Sequence, residues 1–127
     1  MDPERLRAIP VFASLDPEAL HAVAVFAGES SVADGSQIVS EGDYAHQFMA
    51  IEEGTADVIR GDETIASLGP GDFFGEIGVL EKTLRTASVV ATSPMRLITL
   101  TRWDLKRAGD ALEQIRATIE ERRPPVA

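Results

Sequence analysis

Short apolar segments separated by turn residues fill the chain from Glu29 to Leu100. Segments at this density are typical of strands in an antiparallel barrel or sandwich. The pattern predicts a mainly β fold, an eight-stranded antiparallel jelly-roll barrel flanked by an N-terminal helix and by C-terminal helices. The predicted strands cover residues 31–33, 37–39, 48–51, 56–59, 64–68, 73–74, 87–91 and 96–100.

The residues before the first strand predict one helix. Asp16 suits an N-cap and Pro17 the first helical position. Apolar residues then recur at helical spacing to about Phe26, and Gly28 is expected to end the helix in the left-handed conformation. The opening residues as far as Phe12 show little pattern.

A second helical region follows the last strand. The segment from Thr101 to Asp104 resembles a capping box at the start of a helix. Leu112, Ile115 and Ile119 then form an apolar stripe at helical spacing. Such a stripe packs on its own domain or forms a seam with a second copy of the chain.

Length and composition fit one cytoplasmic domain of 127 residues. Residues 1–28 form its N-terminal helical segment, 29–101 the β-roll and 102–123 the C-terminal helices. The absence of cysteine suits a reducing compartment. The longest apolar runs fall far short of the roughly 20 residues that cross a bilayer. We therefore expect a cytoplasmic location and no membrane contact.

The charge balance argues against nucleic acid as a direct partner. The chain carries a net charge of -9, whereas binding to a phosphate backbone requires a clustered basic surface. Between Glu29 and Glu81, twelve acidic residues accompany a single base, Arg60. An anion that binds in this region must be held by local backbone amides and one arginine, and Arg85 is the candidate.

The segment from Phe74 to Ala87 has the composition of an anion site. Gly75 lets backbone amides approach a ligand closely, because it has no side chain. Arg85 provides a planar, permanently charged guanidinium that suits a phosphate. Glu76 lies too near such an anion to be its ligand, so its carboxylate is expected to accept hydrogen bonds from sugar hydroxyls. Phosphate beside sugar hydroxyls describes a nucleotide.

This segment resembles the phosphate-binding cassette of cyclic nucleotide-binding domains, as in catabolite activator protein, the regulatory subunit of protein kinase A and gated channels. The matching residues are Phe74-Gly75-Glu76-Ile77-Gly78-Val79 and, after five residues, Arg85-Thr86-Ala87. Residues 38–54 are similar to the family's other signature, with Ala50 where the family usually has a larger apolar residue. The resemblance covers about residues 11–108 and also implies a jelly roll.

The resemblance implies a ligand, cAMP with cGMP as the alternative, and a role for the cassette residues. Arg85 pairs with the cyclic phosphate, and the Ala87 amide donates to it. Glu76 accepts the ribose 2'-hydroxyl beside the Gly75 backbone. Thr86 can reach the purine, which leaves both nucleotides as ligands. The predicted ligand-binding residues are Phe74, Gly75, Glu76, Ile77, Gly78, Arg85, Thr86 and Ala87.

Two other classes of protein compete with a sensor. A degenerate domain would keep the roll as a dimerisation or docking surface and bind no nucleotide. A cupin enzyme would share the jelly roll but needs inward-facing histidine and glutamate ligands, whereas the two histidines are His21 in the first helix and His46 in a loop. Without a nucleophile placed beside a base, we expect no catalytic activity, no metal and no cofactor.

The output of such a sensor is not evident in the sequence. Too few residues follow Ile119 for a DNA-binding, channel or catalytic domain. Pro124 and Pro125 resemble the start of a linker. The expected partners are therefore the cyclic nucleotide, a covalently attached or separate effector, and a second copy of the chain as a dimer. In the family the last helix folds over the base as a lid.

Overall fold

A computed structural model describes residues 1–42, 47–74, 87–107, 113–115 and 117 of the chain. The helices are α1 (Pro3–Arg7), α2 (Pro10–Ala13), α3 (Pro17–Phe26) and α4 (Arg102–Arg107). The strands are β1 (Gly28–Val32), β2 (Gln37–Val39), β3 (Gln47–Glu53), β4 (Ala56–Arg60), β5 (Glu63–Leu68), β6 (Phe73–Phe74), β7 (Ser88–Ala91) and β8 (Met95–Thr101). Each predicted strand is confirmed, and the largest difference is at β1, which starts at residue 28 instead of 31.

The strands form two antiparallel sheets of four strands each. Sheet A has the order β1-β8-β3-β6, and sheet B has the order β2-β7-β4-β5. The chain changes sheet repeatedly, as when β1 of sheet A leads into β2 of sheet B. This topology confirms the predicted jelly roll, in the form of two facing sheets.

Two hydrophobic clusters lie on the two faces of sheet A. The helix-side cluster consists of Leu6, Ile9, Val11, Phe12, Leu15, Ala19, Leu20, Val23, Ala24, Phe48, Ala50, Phe73, Ile98, Leu100 and Ile115. The inter-sheet cluster consists of Val39, Met49, Ile51, Ala56, Val58, Leu68, Phe74, Ala87, Val89, Ala91, Met95 and Leu97. The helices therefore cover one face of sheet A, and sheet B covers the other.

Successive residues of the sheet A strands alternate between these clusters. In β3, Phe48 belongs to the helix-side cluster and Met49 to the inter-sheet cluster. In β6, Phe73 and Phe74 divide in the same way. Neighbouring side chains of a strand point to opposite faces, so an unbroken apolar run fits a strand that is buried on both sides.

Helix α3 begins and ends where the sequence predicts. The Asp16 carboxylate accepts a hydrogen bond from the Ala19 amide at 2.8 Å, and Pro17 starts the helix. The predicted left-handed stop at Gly28 is wrong. Ala27 follows the helix in an extended conformation, and Gly28 is the first residue of β1. The chain passes directly from helix to strand, so this junction requires no left-handed residue.

The opening residues form two short helices, although they show no apolar period of helical spacing. Asp2 caps α1 by accepting a hydrogen bond from the Glu4 amide at 3.0 Å, and a proline starts both α1 and α2. Leu6 and Phe12 are fully buried in the helix-side cluster. Helices this short are marginal alone, and tertiary packing stabilises them.

The predicted capping box at the start of α4 is confirmed. The Asp104 carboxylate accepts from the Thr101 amide and the Thr101 hydroxyl accepts from the Asp104 amide, each at 3.0 Å. Residues 113–115 and 117 are also helical, and Ile115 is fully buried in the helix-side cluster. The other members of the predicted stripe, Leu112 and Ile119, lie outside the described residues.

Arg5 of α1 joins the N-terminal helices to sheet A. Its guanidinium donates two parallel hydrogen bonds to Glu52 of β3, from Nε at 2.9 Å and from Nη2 at 2.7 Å. It also contacts Glu29 of β1. Hydrogen bonds from Arg5 lower the pKa of both carboxyl groups below the ordinary value. A bidentate arginine–carboxylate pair is the geometry in which a partly exposed ion pair contributes to stability.

Replacing Arg5 with methionine is expected to lower the free energy of unfolding at pH 7, and the difference from wild type is expected to shrink in acid. Carboxyl groups with a lowered pKa stabilise the folded protein above their unfolded pKa of about 4.5. That contribution is lost as the pH falls through the folded pKa. Urea unfolding at pH 7 and pH 3 measures the difference.

Arg7→Met is the matched control for this experiment. Arg7 also lies in α1, but it is half-exposed and pairs with Glu4 three residues away in the same helix. Exposed pairs of this kind contribute little to stability. A loss in Arg5→Met that is equal at both pH values would contradict the assignment of an ion-pair role to Arg5.

Candidate functional site

The predicted cassette begins at β6, which sheet A holds in place. Phe74 pairs with Met49 of β3 in antiparallel register. Its side chain is fully buried in the inter-sheet cluster, while Phe73 packs into the helix-side cluster. The chain therefore enters the cassette from a strand that is held on both faces.

The cassette ends at β7 of sheet B. Ala87 is fully buried in the same inter-sheet cluster as Phe74, and Ser88 pairs with Ile59 of β4. The structure thus brings the first and last predicted ligand-binding residues into one hydrophobic core. The other predicted residues lie outside the described part of the chain, namely Gly75, Glu76, Ile77, Gly78, Arg85 and Thr86.

The chain enters the cassette at the same end of sheet A from which it enters α4. Thr101, the last residue of β8, pairs with Gln47, the first residue of β3. Strand β6 runs antiparallel to β3, because Phe73 pairs with Ala50 and Phe74 pairs with Met49. Strand β6 therefore runs toward the end of β3 that begins at Gln47, beside the start of α4.

Hydrogen bonds tie the exit of the cassette to the turn after β2. Ser88 Oγ accepts from the Glu41 amide at 2.9 Å and from Gln37 Nε2 at 3.5 Å. Glu41 Oε1 in turn accepts from the Gly61 amide, at the tip of the β4–β5 hairpin, at 2.9 Å. Sequence reasoning singled out neither Ser88 nor Glu41. These two residues are 47 positions apart, and such a pair leaves no periodic pattern.

Gln114 links the C-terminal helical residues to the start of α3. Its Oε1 accepts from the Asp16 amide at 3.0 Å, and its Nε2 donates to Asp16 Oδ2 at 2.8 Å. Hydrogen bonds from Ala19 and then from Gln114 lower the pKa of Asp16. The apolar stripe in the sequence indicated the buried Ile115, but it gave no signal for its polar neighbour.

Carboxylates of sheet A engage nearby arginines. Arg5 contacts Glu29 and Glu52, and Arg96 lies 3.8 Å from Glu53. These arginines already neutralise part of the acidic surface, so an anion bound to this chain needs another cation.

A crevice of about 380 Å³ opens at the end of sheet A that is remote from α4. It is lined by Ser31, Val32, Ala33, Glu53, Pro94, Met95 and Arg96. These residues lie at the start of β8, whereas the chain enters the cassette near the end of β8. None of the lining residues belongs to the predicted cassette, residues 74–87.

The described part of the chain holds neither a candidate metal site nor a candidate membrane span. It contains no group of three or more histidine, aspartate or glutamate side chains that could hold a metal ion. None of its helices is long and apolar enough to cross a bilayer. His21 is exposed on α3, and His46 lies outside the described residues.

The sequence matches one family model and several curated proteins. The family model described as the cyclic nucleotide-binding domain matches residues 29–110. The cAMP-dependent protein kinase regulatory subunit of Hypocrea atroviridis is 37% identical over 95 residues, which are 75% of this chain and 21% of that protein. The chain spans between 21% and 30% of the length of the curated relatives it matches.

Crystal structures of similar proteins have the same fold. A cyclic nucleotide-binding protein from Geobacter metallireducens GS-15 is 30% identical with a TM-score of 0.81, over 98% of this chain and 99% of that chain. The catabolite activator protein of Thermus thermophilus is 29% identical with a TM-score of 0.78, over 90% of this chain and 57% of that chain. The family model covers the greater part of the chain, and the jelly roll agrees with it. This chain therefore belongs to the cyclic nucleotide-binding domain family and is homologous to regulatory subunits of cAMP-dependent protein kinase.

Proposed function

We propose that this domain is a cAMP sensor, with cGMP as the alternative ligand, and that residues 74–87 bind the nucleotide. The observation that carries the proposal is the order of the glycine–glutamate pair and Arg85 within a chain of this family. The burial of Phe74 and Ala87 in one core supports it, because a binding segment needs ends that are held in place.

Each polar group of the cassette has a distinct proposed role. Arg85 pairs with the cyclic phosphate through its planar guanidinium. The Ala87 amide donates to the same phosphate. Glu76 accepts the ribose 2'-hydroxyl beside the Gly75 backbone, and the Thr86 hydroxyl reaches the purine. The remaining cassette residues that line the site are Phe74, Ile77 and Gly78.

Ligand binding is proposed to shift the population of C-terminal helix positions. Phosphate capture draws in the cassette, and apolar contacts of Ile77, Val79 and Leu80 transmit the movement. Two described contacts connect the C-terminal helical residues to the rest of the domain. The capping box fixes the start of α4 to the end of β8, and Gln114 contacts α3. A movement of the C-terminal helices is therefore transmitted to the N-terminal helices.

The domain is proposed to act in the cytoplasm and through an effector. We place it in the cytoplasm as a single domain of residues 1–127, without catalytic activity, metal or cofactor. Its partners are the cyclic nucleotide and an effector, either covalently attached or separate, with a second copy of the chain as a candidate dimer partner. Direct contact with nucleic acid or membrane is not expected for a chain with a net charge of -9.

Addition of cAMP is expected to raise the thermal unfolding midpoint of the protein. A ligand that binds only the folded state stabilises it by about 2.7 kcal/mol at a concentration 100-fold above its Kd. For a domain of this size, that corresponds to a shift of roughly 10 °C. Thermal shift measurements with millimolar cAMP, cGMP and 5'-AMP compare the ligands, and the linear 5'-AMP is the control.

The outcome separates the sensor from a docking module that keeps the fold without a ligand. A shift with cGMP alone would assign guanine as the preferred base and give Thr86 a role in selecting it. No shift with either cyclic nucleotide, or an equal shift with 5'-AMP, would contradict the sensor. The docking module would then be the better description.

A further inference from the structure

We infer that Ser88 is a positioning residue for the nucleotide-binding cassette, an inference that rests on the proposed function. The hydroxyl of Ser88 holds the exit of the cassette against the turn after β2. We define the three-loop junction as Glu41, Gly61 and Ser88. It joins the turn after β2, the tip of the β4–β5 hairpin and the first residue of β7.

The junction is built from hydrogen bonds between loops that are distant in sequence. Ser88 Oγ accepts from the Glu41 amide at 2.9 Å, and Glu41 Oε1 accepts from the Gly61 amide at 2.9 Å. Gln37 Nε2 donates to Ser40 Oγ at 2.9 Å and reaches Ser88 Oγ at 3.5 Å. The serine oxygen therefore has two donors, one from the first residue of β2 and one from the turn that follows β2.

Ser88 lies next to the last residue of the cassette, so the junction can affect the position of the cassette. Ser88 directly follows Ala87, whose side chain is fully buried in the inter-sheet cluster. Arg85 is three residues away, a distance of about 10 Å even along a fully extended chain. The hydrogen bonds of the Ser88 hydroxyl and the buried side chain of Ala87 together fix the point at which the chain leaves the cassette.

Loss of the Ser88 hydroxyl is expected to affect the position of the cassette more than the free energy of unfolding. The junction is exposed, so water can replace the hydroxyl as the acceptor for the Glu41 amide. Water satisfies the donor, but it does not hold two loops at a fixed separation. The free energy of unfolding therefore changes little, while the cassette loses a constraint on its geometry.

Ser93 offers a matched control at the other end of β7. Its Oγ accepts from the Thr55 amide at 3.0 Å, also between two exposed loops. Ser93→Ala removes a hydrogen bond of the same kind as Ser88→Ala. The two hydrogen bonds differ in location, because Ser93 follows β7 whereas Ser88 lies at the exit of the cassette. Ser88→Thr keeps the hydroxyl and is the conservative variant.

The test combines cAMP titration calorimetry with amide hydrogen exchange of the ligand-free protein. Ser88→Ala is expected to raise the Kd for cAMP about three- to tenfold, the range that corresponds to one neutral hydrogen bond. It is also expected to speed exchange in the peptide that covers residues 75–86. Ser93→Ala is expected to change neither the Kd for cAMP nor the exchange rate by more than about twofold. Ser88→Thr is expected to have the Kd and the exchange rate of the wild-type protein.

Unchanged exchange in Ser88→Ala, or an equal effect of Ser93→Ala on exchange or on affinity, overturns the inference. Unchanged cAMP affinity in Ser88→Ala with faster exchange also overturns it, because the position of the cassette would then not matter for binding. If the wild-type protein binds neither cAMP nor cGMP, the proposed function fails. The exchange comparison between Ser88→Ala and Ser93→Ala still decides whether Ser88 positions residues 75–86.

Discussion

Replacing Arg85 with alanine is expected to weaken cAMP binding at least about tenfold. Removing one partner of a desolvated charge pair costs about 2 to 5 kcal/mol, and each tenfold in affinity corresponds to about 1.4 kcal/mol. The effect should be large here because the chain carries a net charge of -9, so its overall field opposes an anion. Titration calorimetry of the variant and of the wild-type protein measures the change.

Two further variants show whether the effect belongs to the guanidinium of Arg85. Arg85→Lys keeps the charge but loses the planar fork, so its affinity should lie between those of wild type and Arg85→Ala. Arg7→Ala removes an exposed arginine paired with Glu4 and changes the net charge by the same amount. It should leave affinity within about twofold. Equal affinities of Arg85→Ala and wild type would reject the phosphate-binding role.

The strands and α3 could be predicted from the sequence because their signals are local. Turn residues separate the apolar runs, and the hairpin between β4 and β5 turns at Gly61 and Asp62 as the sequence indicates. Asp16 and Pro17 mark the start of α3. Each of these signals depends on a few neighbouring residues, and tertiary packing did not override them.

Helix α1 begins with the same local signal as α3 but has no apolar period after it. Asp2-Pro3-Glu4 repeats the triplet Asp16-Pro17-Glu18 that marks α3. In both helices the aspartate caps the first turn and the proline starts it. Only α3 is long enough to show an apolar period afterwards. A capping signal without a following period therefore still indicates a short helix when proline occupies the first position.

The layers of the core could not be predicted from the pattern. The run from Phe48 to Ile51 is continuously apolar, and such a run does not say which elements cover its two faces. The structure assigns one face to the N-terminal helices and the other to sheet B. Ile115 joins the helix side although it is distant in sequence. Such contacts depend on chain topology rather than on local periodicity.

The candidate site divides in the same way between local and long-range information. The cassette motif is continuous in sequence, so its residues could be selected without a structure. Their ligand contacts stay a prediction, because Gly75 to Thr86 lie outside the described residues. The supporting hydrogen bonds of Ser88 with Glu41 and of Gln114 with Asp16 join distant parts of the chain. Single residues of these types carry no signal for such partners.

Replacing Phe48 with alanine is expected to lower the free energy of unfolding by about 3 to 5 kcal/mol. Phe48 is 1% exposed. Its ring centroid lies 6.0 Å from that of Phe12 in an edge arrangement and 5.5 Å from that of Phe73 in a stacked one. The substitution removes both aromatic contacts and leaves a cavity where α2, β3 and β6 meet. Urea unfolding measures the loss.

Phe48→Leu and Val25→Ala test whether the loss comes from this aromatic junction. Leucine fills part of the cavity, so Phe48→Leu should lose less than Phe48→Ala. Val25 is 66% exposed on α3, and its truncation should change stability by no more than about 0.5 kcal/mol. Because Phe73 leads into the cassette, folded Phe48→Ala protein should also bind cAMP more weakly. A loss below about 1 kcal/mol in Phe48→Ala would show that the helices do not pack on sheet A through this ring.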